Sequence, residues 1–310
     1  MSRFRVLAMA TAVAVYGQIV LGAVVRITGS GLGCPDWPLC HGQLVPNFFD
    51  YHVSIEYAHR AFGTASGLLV LATAVTAAVM YARRARAGDV AMPGGLALAA
   101  VATLALIAFQ GVLGGITVLT GNTPFTVAIH LGNALLVLAA ATVVVLWAGR
   151  VGADRRRGAQ PAAGRTGAYL YGGAAGAFLI VVSGAYVVGS SAGGACPGWP
   201  LCGAADRSVF TDVHMLHRAV VLLGSFAILG AAYAGWRRWR GTRMAWAALL
   251  ASLLLLLEVA VGALQAVLAL PAGLRALHVA LATAVWTATF VMAAGWRLDG
   301  RPEREPRSAR

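Results

Sequence analysis

Eight long apolar runs govern what this chain can become. They lie near residues 5–26, 53–82, 95–120, 124–149, 167–189, 211–236, 244–270 and 273–297. A helix needs about 20 mostly apolar residues to cross the hydrocarbon core of a bilayer. Inside that core every backbone N–H and C=O must be satisfied within the segment, which leaves helices as the reading for runs of this length. Charged residues make up only 11% of the chain, against about 25% in soluble globular domains. The fold class is therefore all-α and polytopic. The first run follows Arg3 and Arg5 as a signal peptide would. It continues through Val25 without a clear cleavage site, so it is expected to stay as the first span.

The net charge of +13 would suit a nucleic-acid binder, but its distribution points elsewhere. All 24 basic residues are arginine, and 19 of them fall on one side of an eight-span layout. Short cytoplasmic loops carry such an excess. Both termini are then expected in the cytoplasm, and no nucleic-acid partner is required. With no organellar targeting segment in view, the expected location is a bacterial plasma membrane.

An internal repeat divides the chain. Cys34-Pro35-Asp36-Trp37-Pro38-Leu39-Cys40 returns as Cys196-Pro197-Gly198-Trp199-Pro200-Leu201-Cys202. His59-Arg60 returns as His217-Arg218, Gln110 and Gly114 match Glu258 and Gly262, and Pro124 with His130 matches Pro271 with His278. The expected halves are 1–150 and 166–300, joined by a cytoplasmic linker at 151–165 and followed by a tail at 301–310. Each half begins inside and holds four spans, so the halves are parallel repeats about an axis normal to the membrane. The expected architecture is two pseudo-symmetric four-helix bundles.

Both cysteine pairs fall in outside loops, where the environment favours disulfides. They read as structural staples or as a redox-active pair serving a thiol-disulfide partner; the spacing suits zinc poorly. Of seven histidines, His41 and His52 fall in the first outside loop. The other five lie in spans, where ionisable side chains are costly and mark functional sites. His59, His130, His217 and His278 each sit about six residues inside a span entered from outside, roughly 9 Å deep at 1.5 Å per residue. Each half thus offers two histidines at one depth, on its second and fourth helices, which suits a haem clamped from both faces. Arg60, Arg218 and Arg275 are placed to meet haem propionates. Glu56 lies one turn before His59, where the second half has His214. This asymmetry suggests that only the first half does chemistry. From the residues alone, a di-haem b-type electron-transfer protein explains the four histidines equally well. A transporter fits less well, because the polar groups gather toward the outer side rather than the midplane.

Glu56-Tyr57-Ala58-His59-Arg60 together with Gly29-Ser30-Gly31-Leu32-Gly33-Cys34-Pro35-Asp36-Trp37-Pro38 resembles the haem A synthase family, and the likeness covers nearly the whole chain. The resemblance implies oxidation of the C8 methyl of haem O to a formyl group by successive hydroxylations, giving haem A for terminal oxidases. It implies haem b as cofactor in the second half, with His217 and His278 as its axial ligands. It places substrate haem O in the first half near His59, His130 and Arg60, with Glu56 as the essential acid. It also implies disulfides Cys34–Cys40 and Cys196–Cys202, the first of them passing reducing equivalents. Partners allowed by the resemblance are a haem O synthase, a thiol-disulfide or quinone electron partner, and further copies of the chain.

Overall fold

A computed structural model describes residues 2–87, 94–149, 164–203 and 206–299. The linker expected at 151–165 lies outside the described residues except for its end at 164–165, and the tail 301–310 lies wholly outside them. Eight helices match the eight apolar runs: α1 Ser2–Ile27, α2 Tyr51–Arg86, α3 Gly94–Leu119, α4 Pro124–Ala148, α5 Arg165–Gly189, α6 Val209–Trp239, α7 Arg243–Val267 and α8 Ala272–Asp299. All eight are long and apolar enough to cross a membrane, and no strand occurs among the described residues. The protein is a multi-pass membrane protein.

Local chemistry sets the helix ends nearest the conserved-looking motifs of the repeat. Asp50 caps α2 by accepting from the N–H groups of His52 and Val53. Thr123 caps α4, with Pro124 in the first turn, where its missing N–H costs nothing. Ser208 and Thr211 form a reciprocal capping box at α6. Because α2 begins at Tyr51, His52 belongs to its first turn and not to the loop the sequence suggested; its Nδ1 pairs with Ser30 Oγ at 3.1 Å.

Within each half the helices close into a ring. α1 packs on α2, α2 on α3, α3 on α4 and α4 on α1; α5 to α8 repeat the pattern. The histidine-bearing helices, α2 with α4 and α6 with α8, are therefore diagonal partners across their rings. α4 against α5 and α8, and α1 against α8, join the halves. A single apolar core runs through that junction, including Val15, Leu135, Val181, Ile228 and Leu255. Tyr16 of α1 donates to the carbonyl of Ala280 in α8 at 2.7 Å, bridging the two halves.

Lipid supplies no hydrophobic force between helices, so close backbone approach has to hold them. α5 and α6 show this directly. A Cβ on Gly176 would meet the Cα of Gly224 at 3.3 Å, and one on Gly173 would collide with Ala231. Polar ties add to it, such as the Thr11–Thr73 hydroxyl pair between α1 and α2 at 2.8 Å. Such bonds average about 0.6 kcal/mol in membranes. Leu222, Leu223 and Phe226 of α6 and Leu253 and Leu256 of α7 remain exposed, as lipid-facing side chains do.

Candidate functional site

Two sites are built from the same local device. In each antiparallel helix pair, the odd-numbered helix offers a glycine and the even-numbered helix lays a histidine ring against it. A Cβ on Gly22 would meet His59 Cε1 at 3.1 Å, and one on Gly114 would meet His130 Cε1 at 3.3 Å. In the second half Gly184 faces His217 Cε1 at 3.2 Å and Gly262 faces His278 Cε1 at 3.0 Å. At all four places any larger residue would push the ring. The histidines lie eight, six, eight and six residues past their helix starts. Depth is thus matched between halves, while within a half it differs by two residues, about 3 Å.

The residues touching these rings differ between halves. Gln18 Nε2 lies 3.1 Å from His59 Nδ1 and donates to the His59 carbonyl at 3.0 Å. Gln110 Nε2 does the same for His130, at 3.2 Å from Nε2 of the ring and 3.0 Å from the carbonyl. In the second half Ser183 Oγ lies 2.8 Å from His217 Nδ1. Glu258 Oε1 lies 2.8 Å from His278 Nδ1. That last contact is at ion-pair distance but off the ring's N–H direction, so it is a close pairing and not a formed hydrogen bond. Sequence reasoning gave none of the four a role, although Gln110 and Glu258 were matched in the repeat. The signal was present: Gln18, Gln110 and Glu258 each precede their glycine by four residues, one helical turn, and so share its face.

Glu56 is buried, 4% exposed. Arg60 Nε donates to its Oε1 at 2.9 Å. Arg60 Nη1 reaches the carbonyls of Asp36 and Leu39 at 2.8 and 2.7 Å, and Nη2 that of Cys34 at 2.7 Å. Four of its five N–H groups are thereby committed. Arg60, expected from sequence at the substrate haem, ties the first cysteine loop to Glu56 and keeps one N–H for anything else. Arg218 repeats half of this, with Nη1 on Pro200 O and Nη2 on Cys196 O, both at 3.0 Å. His214 stands where Glu56 does in the first half, and its Nδ1 pairs with the carbonyl of Ala192 at 3.0 Å. Arg275 lies near Arg26 of α1.

Both cysteine pairs are disulfides, Cys34–Cys40 and Cys196–Cys202. Each encloses the same Trp-Pro step, cis at Trp37-Pro38 and at Trp199-Pro200. The loops still differ. Asp36 accepts from the N–H groups of His41 and Gly42 at 2.6 and 2.8 Å; the second loop has Gly198 there. The Gly42 N–H first, then that of His41, holds the Asp36 carboxyl below the usual aspartate range. Trp37 lies on α3, where a Cβ on Gly115 would meet it at 2.8 Å, one residue from the glycine that cradles His130. The matching position in α7 is Ala263.

Among the described residues no three His, Cys, Asp or Glu side chains converge to cage a metal ion. Two histidines on diagonal helices of a bundle, each with its ring seated on a glycine, fit a group that brings most of its own donors. Haem is such a group. Three of the buried side-chain atoms without a hydrogen-bond partner, Gln18 Oε1, Glu258 Oε2 and His278 Nδ1, belong to these histidines and the residues against them.

Fold and site together define a class: a polytopic helical membrane protein with duplicated four-helix halves, each carrying two histidines on diagonal helices and one disulfide loop. The sequence profile of COX15-CtaA, a cytochrome oxidase assembly protein family, matches residues 5–52 and 47–290, and the chain belongs to that family. It is 30% identical over 267 residues to the heme A synthase of Geobacillus kaustophilus, covering 83% of this chain and 80% of that one. It is 32% identical to the heme A synthase of Alkalihalophilus pseudofirmus, covering 70% and 71%. Identity to the heme A synthase of Shouchella clausii is also 32%, covering 72% and 73%.

Proposed function

We propose that this chain is a membrane oxidoreductase that converts haem O to haem A. The observation that carries the reading is the contrast between the halves at one position: Glu56, buried and gripped by Arg60, stands one turn before His59, where the second half has His214. Relatives named heme A synthase, aligned over most of both chains, support it. A simple two-haem electron carrier has no use for that asymmetry.

Turning the C8 methyl of haem O into a formyl group removes four electrons and adds one oxygen, in successive hydroxylations with loss of water. Haem b in the second half, held by His217 and His278, supplies one-electron redox capacity that side chains lack. His59 and His130 position the substrate haem in the first half. Glu56 takes a proton as the methyl carbon is oxidised; Arg60 fixes its Oε1, which leaves Oε2 for that proton. Arg218 and Arg275 are the cations placed to meet propionates, with the remaining N–H of Arg60. The first disulfide, Cys34–Cys40, sits where Arg60 and Trp37 connect it to Glu56 and to the His130 helix pair, and it is the candidate outlet for reducing equivalents. A thiol-disulfide protein or a quinone would take them up. The arginine asymmetry supports cytoplasmic termini, with the cysteine loops on the outer face of the cell membrane.

The test is extraction and mass identification of non-covalent haem from cells that make haem O. Haem A or a hydroxylated intermediate should appear with the wild-type protein and be absent with Glu56→Gln. Full haem A output from Glu56→Gln would refute the assignment of Glu56. Haem b alone with the wild type, and no conversion of added haem O, would favour the electron carrier.

A further inference from the structure

The four histidines share a cradle but differ in what their rings can do with their protons, and this difference separates the halves. Gln110 is fixed in orientation. Asn133 Nδ2 donates to its Oε1 at 2.7 Å, so its NH2 end must face His130. That end donates to the His130 carbonyl and brings only N–H groups to the ring. Gln18 presents Nε2 to His59 in the same way, through the same carbonyl contact. Neither first-half ring finds an acceptor for its own N–H in these partners.

In the second half the polarity is reversed. Ser183 Oγ also lies 2.9 Å from the carbonyl of Ile180, which can only accept; with its proton there, the hydroxyl meets His217 Nδ1 with lone pairs at 2.8 Å. Glu258, 6% exposed, presents a carboxyl oxygen to His278 Nδ1, and its Oε2 has no partner. Each Nδ1 then has an oxygen acceptor at 2.8 Å, within hydrogen-bond geometry at His217 and off the N–H direction at His278, which favours the tautomer with the proton on Nδ1 and the lone pair on Nε2. A ligating histidine whose other N–H is given to an acceptor is held in one tautomer and made a stronger donor to the metal.

We propose that Ser183 and Glu258 are positioning residues that make the second-half haem site permanent, whereas Gln18 and Gln110 leave the first-half site weak enough to release its haem. This rests on the reading of His217 and His278 as haem b ligands. It explains why one enzyme can use two similar bis-histidine sites for a resident cofactor and for a substrate that must leave as product. It also gives Glu258 a role that its match to Gln110 conceals: the two side chains are nearly the same shape and opposite in hydrogen-bonding sense.

The experiment uses full-length protein in detergent, with haem loss followed by transfer to excess apomyoglobin and midpoint potential by redox titration. Glu258→Gln recreates the first-half arrangement at the second site. It should keep a low-spin b-type spectrum yet lose that haem roughly 10–100-fold faster, the range typical for removing such a partner. Its potential should rise, because a less basic imidazole stabilises the ferric state less. Ser183→Ala, which changes little volume, should move both readings the same way by less, and it serves if Glu258→Gln does not accumulate. Unchanged loss rate and potential in these variants would overturn the inference. If His217→Ala and His278→Ala leave the b-type spectrum intact, the underlying ligand assignment fails instead.

Discussion

The two halves pack their four helices in the same order and use them differently. Both place a glycine under each histidine, a disulfide loop above, and an arginine on that loop's carbonyls. In the first half the arginine also grips Glu56, Trp37 lies on α3, and amide side chains face the rings. In the second half histidine replaces the acid and the rings face acceptors. On the proposed function, the lesson is that a duplicated scaffold would supply the histidine pairs and a handful of substitutions around them would decide which copy reacts and which copy holds.

The largest expected effect is at Glu56. Glu56→Gln should cut haem O turnover by about 100-fold or more, the scale of general acid–base catalysis, with haem content unchanged. Placing an acid at the equivalent second-half position, His214→Glu, should create no second reactive site. Haem A formation that survives loss of Glu56 would dissolve the contrast between halves.

Next come the glycine cradles, which should matter in both halves. Gly262→Ala should lower haem occupancy more than Gly114→Ala, because the added carbon would come within 3.0 Å of His278 but 3.3 Å of His130. Haem-to-protein ratios of the purified variants would check this; equal, full occupancy would mean that the rings do not need the cradle.

A smaller difference is expected at the loop arginines. Arg60→Lys loses a guanidinium serving three carbonyls and a carboxylate, whereas Arg218→Lys loses one serving two carbonyls. At roughly 1.5–3 kcal/mol for a charged hydrogen bond, partly recovered by lysine, the first should destabilise by about 2 kcal/mol and the second by about half of that. Thermal unfolding in detergent reports both; a larger loss at Arg218 would reverse the ranking.

How far the sequence could be read follows from the kind of signal. Span existence came from apolar length alone, and the helix ends moved by at most four residues, as at α2, expected to end at 82 and found to end at Arg86. The histidines were legible because an ionisable group in a span needs a reason. Gln18, Ser183 and the role of Glu258 were not, because a polar residue in a helix declares no partner until the neighbouring helix is placed. The hydrogen bonds of Arg60 were hidden for a related reason: an arginine next to a histidine looks like a propionate anchor, and only folding of the 34–40 loop shows carbonyls sharing it.

The smallest effect should be in acid. Hydrogen bonds from Gly42 and His41 hold Asp36 below its usual range, and those from Val53 and His52 do the same for Asp50. A depressed folded carboxyl stabilises above the ordinary aspartate value, and that contribution is lost as pH falls through the lower folded value. The second half has Gly198 and the Ser208 cap in these places. Amide hydrogen exchange across the acid range should therefore loosen residues 36–54 before residues 198–212. Simultaneous loosening would show that these carboxylates do not set the difference.

The most direct test of the division between halves is haem analysis of four purified variants from a host that makes haem O. His217→Ala and His278→Ala should lose haem b, whereas His59→Ala and His130→Ala should keep haem b and lose haem O and its oxidised products. Loss of haem b from the first-half variants, or its retention in the second-half ones, would contradict the account.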